Sequence, residues 1–187
     1  MRDIPDNMTL DPAKGEMLIL TDALDRPVGE ASKEAVHRGG LLHRAFSAVL
    51  YRERPEGLEF LLTRRAEGKY HSGGRWANAC CSHPRSGEET IEAAYRRVRQ
   101  ELGCEAVSLR EIGWFIYRAE FPDGICEYEC DHVLAGRCAG EPVPDPAEVS
   151  GIRWVSAETL NALLTKEPET FAPWAYQVLS LALNWLG

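Results

Sequence analysis

The stretch Trp76-Ala77-Asn78-Ala79-Cys80-Cys81-Ser82-His83-Pro84 sets a thiol two residues before an imidazole. Downstream, Glu127 and Glu129 repeat the two-residue spacing, and His37 and His43 lie upstream. Histidine is the commonest metal ligand, and carboxylates hold hard divalent cations. Three imidazoles and two carboxylates form an N/O donor set suited to Mn2+, Mg2+ or Zn2+ in an octahedral shell. With a thiol beside them they suggest metal-assisted acid/base chemistry. Taken singly, each residue has a plainer reading: a lone His is usually structural, and a lone Cys usually packs in a core. Cys80 competes with Cys81, and periodicity does not choose between them.

Lys33, Arg65, Lys69 and Arg97 could ring a diphosphate, although Lys and Arg are mostly solvated surface residues. Trp174 could be core, like Trp185, and Asn78 and Ser82 could serve as turn residues.

These groups need elements to position them. Met17–Leu20, Phe46–Tyr51 and Phe60–Thr63 read as strands, the last two joined by a polar turn through Pro55, Glu56 and Gly57. Ser86-Gly87-Glu88-Glu89 reads as a capping box. Ile91, Ala94, Tyr95, Val98 and Leu102 follow at helical spacing and Gly103 ends the run, which predicts a helix over 87–102. Arg97 and Glu101, four apart, share a face of it. Trp114–Arg118 and Cys126–Leu134 form a hairpin around Pro122-Asp123-Gly124, so Glu127 and Glu129 project from one face. Ile152–Val155 is a strand, Ser156 caps a short helix, and Phe171–Leu186 is a final helix with Pro173 in its first turn. Strands broken by a few helices make the class α/β or α+β.

At 187 residues the chain is expected to be one domain over 16–187, after a loose polar tail over 1–15. A composition of 44% apolar and 27% charged residues is that of a globular protein. The net charge of -8 argues against a nucleic-acid surface. No apolar run is long enough to span a membrane or act as a signal peptide, so a cytoplasmic protein is expected. Its six cysteines are then expected to be reduced thiols.

Ser82, Glu88, Arg96, Val98, Glu101 and Gly103 fall at the fixed positions of a Nudix box (Gly-x5-Glu-x7-Arg-Glu-U-x-Glu-Glu-x-Gly). The box is degenerate: Arg97 and Gln100 stand where two of its glutamates belong. An ordinary amphipathic helix would share its capping and periodicity. Five ordered motifs accompany it: His37-x5-His43-Arg44-Ala45-Phe46-Ser47, Arg64-Arg65-Ala66, Trp76-x-Asn78-x-x-Cys81-x-His83-Pro84, Glu127-Tyr128-Glu129 and Pro173-Trp174. Together they resemble the type 1 isopentenyl-diphosphate isomerase family of the Nudix superfamily, from about Leu18 to Trp174.

The resemblance implies a Nudix-type mixed β-sheet sandwiched between helices. It also implies isomerisation of isopentenyl diphosphate to dimethylallyl diphosphate through a carbocation, in isoprenoid biosynthesis. Cys81 would be the catalytic thiol, Glu129 the catalytic glutamate and Tyr117 its hydrogen-bonded partner. Which of Cys81 and Glu129 delivers the proton stays open. His37, His43, His83, Glu127 and Glu129 would hold one metal (Mn2+, Zn2+ or Mg2+). Glu101 would hold the Mg2+ that accompanies the diphosphate. Lys33, Arg65, Lys69 and Arg97 would contact the substrate anion, and Trp174 would wall the reacting carbons. The partner is a small molecule, with neither nucleic acid nor membrane, and the protein is expected to be a monomer or homodimer. Two rivals remain: a Nudix diphosphate hydrolase, which would miss the carboxylates replaced by Arg97 and Gln100, and a non-catalytic Nudix-fold binding domain.

Overall fold

The computed structural model describes residues 16–69 and 71–187, so the tail expected over 1–15 lies outside the described residues. In chain order the elements are β1 (Met17–Thr21), β2 (Pro27–Ser32), α1 (Lys33–Gly39), β3 (His43–Arg54), β4 (Gly57–Arg65), β5 (Trp76–Ala77), β6 (Cys80–Ser82), α2 (Thr90–Leu102), β7 (Glu105–Glu120), β8 (Cys126–Ala139), β9 (Val149–Ser156), α3 (Ala157–Lys166) and α4 (Ala175–Leu186).

The sheet is mixed and built outward from β3. This strand runs parallel to β8, with His43 opposite Glu129 and Tyr51 opposite Arg137. It runs antiparallel to β4 and to the short β6. β7 extends the sheet beyond β8, and β9 pairs with β4. Side chains alternate along β3, so each face of it has its own core. Phe46, Ala48 and Leu50 pack with Leu134 and with Ala94, Val98 and Leu102 of α2. Val49 packs with Val133 and Ala135 of β8, Leu160 of α3 and Val178 and Leu179 of α4. Burial on both faces is what a strand in a parallel pair requires, and it produces the expected sheet between helices. Asp25, in the β1–β2 turn, accepts from Arg44 Nε at 2.9 Å and lies 2.9 Å from His132 Nε2, which clasps the β1–β2 hairpin to β3 and β8.

Three differences from expectation bear on the site. Helix α2 begins at Thr90, and Ser86 does not cap it; its hydroxyl bonds Glu30 instead. The reason lies in Glu88. Its carboxylate accepts Arg85 N–H at 2.9 Å and a bidentate pair from Arg96 at 2.7 Å, which holds residues 85–88 as a turn before the helix. Gly103 ends α2 as expected, at φ +60°, where a Cβ would lie 2.6 Å from the Val143 carbonyl. Helix α4 begins at Ala175, not Phe171, because Phe171 bridges to Trp76 and Ala172 N–H donates to Trp76 O at 2.8 Å. Trp174 is thereby fixed at the helix N-cap. The third is that the segment before α2 contains two short strands, β5 and β6, which pair with β4 and β3. β2 and α1, for which no expectation was formed, complete the N-terminal side. All six cysteines are free, and no described helix is long and apolar enough to cross a membrane.

The Arg96 guanidinium holds the Glu88 carboxyl below its ordinary value of 4.5, against a smaller opposing push from burial. A carboxyl depressed by folding stabilises the protein above its unfolded pKa and loses that contribution as pH falls through the folded value. Glu88→Gln should therefore cost about 1 kcal/mol at pH 7. The deficit should shrink below about pH 4.5 and vanish in stronger acid. Thermal midpoints of both proteins across pH 3–8 check this.

Candidate active site

Four elements bring the five expected ligands together. His37 comes from the last turn of α1, His43 opens β3, His83 follows β6, and Glu127 and Glu129 share a face of β8. One ligand atom from each lies within 4.8 Å of all the others, and all five residues are buried. His43 Nε2 is 3.2 Å from His83 Nε2, and His83 Nε2 is 3.1 Å from Glu129 Oε1. His37 Nε2 is 3.3 Å from Glu127 Oε1.

The arrangement fits a cation. Nδ1 of His37 lies 2.7 Å from the Lys33 carbonyl, and Nδ1 of His43 lies 2.9 Å from the Leu41 carbonyl. A carbonyl only accepts, so Nδ1 carries the proton in each neutral ring and Nε2 turns its lone pair inward, as in metal-ligating imidazoles. Lone pairs and two carboxylates buried at this spacing repel one another unless positive charge stands among them.

The neighbouring acid/base groups follow from strand register. Ser47 pairs with Cys81 and Ala48 with Cys80, so the adjacent cysteines face opposite sides of the sheet. Cys80 enters the apolar core beneath α2, where burial pushes its thiol well above the ordinary value. Cys81 enters the cleft on the other face, together with His83, Glu129, Tyr117 and Trp174. Its Sγ accepts from Trp174 Nε1–H at 3.1 Å and donates to Asn78 Oδ1 at 3.2 Å. Burial, then the charge of Asp131, pushes this thiol up to about 12, so it is protonated at neutral pH. Tyr117 pairs with Glu129 across β7 and β8, and its hydroxyl donates to Glu129 Oε2 at 2.5 Å. Burial, then the Glu129 carboxylate, raises the Tyr117 phenol well above its usual value, which keeps it a donor.

The four expected cations line the same cleft. Arg97 pairs with Glu101 on α2 and reaches Glu148 at 3.5 Å. Lys69 pairs with Glu148, and Lys33 lies 3.4 Å from Glu16. Arg65 extends over the Trp174 ring, 5.2 Å from its centroid. Sequence reasoning missed Glu148, His71 and the Ser47–Asp131 pair, whose hydroxyl donates to the carboxylate at 2.8 Å. Asp131 was within reach, since it extends the two-residue spacing of Glu127 and Glu129 by one more step. Asn78 does lie in the short connection between β5 and β6, as a turn residue would, and it is also a buried bracket: its amide donates to the carbonyls of Ala48 at 3.0 Å and Cys80 at 3.1 Å.

Comparison with known proteins bears on this geometry. The NUDIX domain family profile matches residues 41–180. An isopentenyl-diphosphate Delta-isomerase of Photobacterium profundum is 45% identical over 174 residues, covering 92% of this chain and 97% of that protein. The isopentenyl-diphosphate Delta-isomerase 2 of Aromatoleum aromaticum is 43% identical over 169 residues, covering 90% and 87%. The chain belongs to the isopentenyl-diphosphate Delta-isomerase family, within the NUDIX fold. Among solved structures, DR0079 of Deinococcus radiodurans superposes with a TM-score of 0.69 at 23% identity, covering 88% of this chain and 98% of that one. A MutT NUDIX hydrolase of Burkholderia pseudomallei gives 0.59 at 16%, covering 75% and 97%, and like the first it speaks for the fold alone. Arg97, where the box would place a carboxylate, lines the cleft.

If the five residues hold a divalent cation, His83→Ala should weaken Mn2+ binding at least about 100-fold, beyond the effect of an outer-shell change. A direct Mn2+ titration of the purified protein tests it, and an unchanged affinity would remove His83 from the set.

Proposed function

We propose that the chain isomerises isopentenyl diphosphate to dimethylallyl diphosphate in the cytoplasm, with residues 16–187 acting as one domain. The observation that carries the reading is the pairing of two proton-handling systems in one cleft: Cys81 under the Trp174 indole, and Glu129 with Tyr117. The reaction adds one proton to C4 of the substrate and removes another from C2, so it needs two such groups and no net change in protons.

The diphosphate binds among Lys33, Arg65, Lys69 and Arg97, where Arg gives paired hydrogen bonds and Lys a point charge. Glu101, beside Arg97, is suited to the Mg2+ that accompanies the anion. A Mn2+, Zn2+ or Mg2+ ion held by His37, His43, His83, Glu127 and Glu129 would supply fixed positive charge that anchors the Glu129 carboxyl and tunes its acidity. Cys81 and Glu129 exchange the two protons with the carbon chain between them, and Tyr117 holds Glu129 in its working rotamer. Protonating an alkene leaves a tertiary cation. The Trp174 face stabilises such a cation by about 2 kcal/mol when desolvated. The buried indole also keeps water from trapping it. A hydrolytic reading lacks the carboxylates that Arg97 and Gln100 replace.

Proton NMR of isopentenyl diphosphate in D2O with enzyme and Mg2+ should show dimethylallyl diphosphate carrying deuterium. Rapid phosphate release instead would favour the hydrolase. Cys81→Ala should lower kcat by about 10²–10⁴-fold, with Cys80→Ala close to wild type. Near-normal turnover in the double variant would remove the thiol from the mechanism. Arg97→Ala should raise KM for isopentenyl diphosphate about tenfold or more, the loss of one charge-assisted contact.

A further inference from the structure

His71 belongs to none of the expected motifs, yet it is buried and lines the same cleft. Its Nε2 lies 2.7 Å from Glu127 Oε1, closer than His37 Nε2 does. It stands outside the five residues whose ligand atoms converge. Ser72 Oγ lies 3.2 Å from its Nδ1 and can donate there, leaving Nε2–H to donate to the carboxylate. The ring stacks on Phe121 at 4.6 Å and meets Trp174 edge-on at 5.7 Å. Its backbone carbonyl accepts from Arg65 Nη2 at 3.3 Å.

His71 lies in the β4–β5 connection, 66–75, which also carries Lys69. Its described residues are tied to one another by backbone hydrogen bonds. Lys69 N–H donates to Ala66 O, Gly74 N–H to Arg65 O and Arg75 N–H to Ser72 O. A Cβ on Gly73 would lie 2.6 Å from Glu67 O. Arg65, at the base of the connection, is therefore tied to His71 through the His71 carbonyl and to Gly74 through its own.

We infer that His71 is a positioning residue that couples the His/Glu metal site to the diphosphate site. A cation on Glu127 fixes that carboxylate, the carboxylate fixes His71, and His71 sets the connection bearing Lys69 with Arg65 at its base. Coupling of binding free energies is reciprocal, so a bound diphosphate strengthens cation binding by the same factor. The inference rests on the proposed reading of the five residues as a metal site.

The test follows hydrogen exchange of the Lys69, Gly74 and Arg75 amides in the full chain, with and without Mn2+ and with no substrate present. In wild type, Mn2+ should slow these amides about tenfold or more. In His71→Ala the slowing should be lost, while Mn2+ still binds with affinity reduced about 10–100-fold, the range for an outer-shell partner. His71→Gln, which keeps an N–H donor toward Glu127, should recover most of the protection. In steady state, His71→Ala should raise KM for isopentenyl diphosphate more than it lowers kcat. Equal Mn2+ protection in wild type and His71→Ala would overturn the coupling, as would Mn2+ binding to wild type without any protection. A wild type that binds no Mn2+ would overturn the metal reading, and the coupling with it.

Discussion

The parallel ladder between β3 and β8 is the constraint from which the site follows. It fixes His43 beside Glu129 and Ala45 beside Asp131, and a slip of one residue would turn every one of these side chains to the opposite face. The same ladder carries the core, since Val49, Val133 and Ala135 continue that face under α4. One face of two strands is thus polar at one end and apolar at the other. β6 adds Cys81 to this face through its pairing with Ser47, and β7 adds Tyr117 through its pairing with Glu129. No flexible loop is needed to bring the thiol, the phenol and the carboxylate together.

Charge is divided within the cleft. The His/Glu end buries two carboxylates with three imidazoles, a set that favours a cation. The α2 end presents Arg97, with Lys33, Arg65 and Lys69 across from it, a set that favours an anion. In a box with full carboxylates, both ends would compete for cations. Arg97 in place of a glutamate reverses the sign at one position and, in the proposed reading, makes an anion pocket with its neighbours. Each of these cations is paired with a protein carboxylate or carbonyl, so in the proposed reading a diphosphate exchanges partners and does not meet bare charges. Such exchange limits the net affinity gained per contact and rewards geometric fit.

Much of this was legible in the sequence because it rests on short periodicities. Two-residue spacing placed Glu127 and Glu129 on one face, and the apolar stripe from Ile91 to Leu102 located α2. The ordered motifs carried the site residues. What was not legible depended on contacts between distant segments. The start of α2 moved because Glu88 is claimed by Arg96, an i, i+8 pair that no capping rule contains. The start of α4 moved because residues 171–172 pair with Trp76, nearly a hundred positions earlier. Helix α1 has only seven residues, too few for a periodic signal, although it delivers His37. Glu148 and His71 lie in connections with no pattern of their own, and they matter through distant partners: Arg97 and Lys69 for Glu148, Glu127 for His71. The choice between Cys80 and Cys81 was closed to periodicity for a similar reason: either could face the cleft until the pairing of β6 with β3 fixed the register.

That register joins two requirements of the chemistry that could have been separate. In the proposed reaction, proton exchange with carbon needs a group held at a fixed distance, and the cation needs a dry, electron-rich surface. Trp174 meets both with one side chain, since its N–H anchors Cys81 Sγ while its ring remains part of the wall. Its own position is set by Ala172 on Trp76 and by the start of α4, so the wall is attached to the same strands as the thiol. Loosening that attachment would admit water and release the sulfur together. The start of α4 at Ala175, later than the Phe171 expected from the sequence, is therefore what gives the cleft its cover.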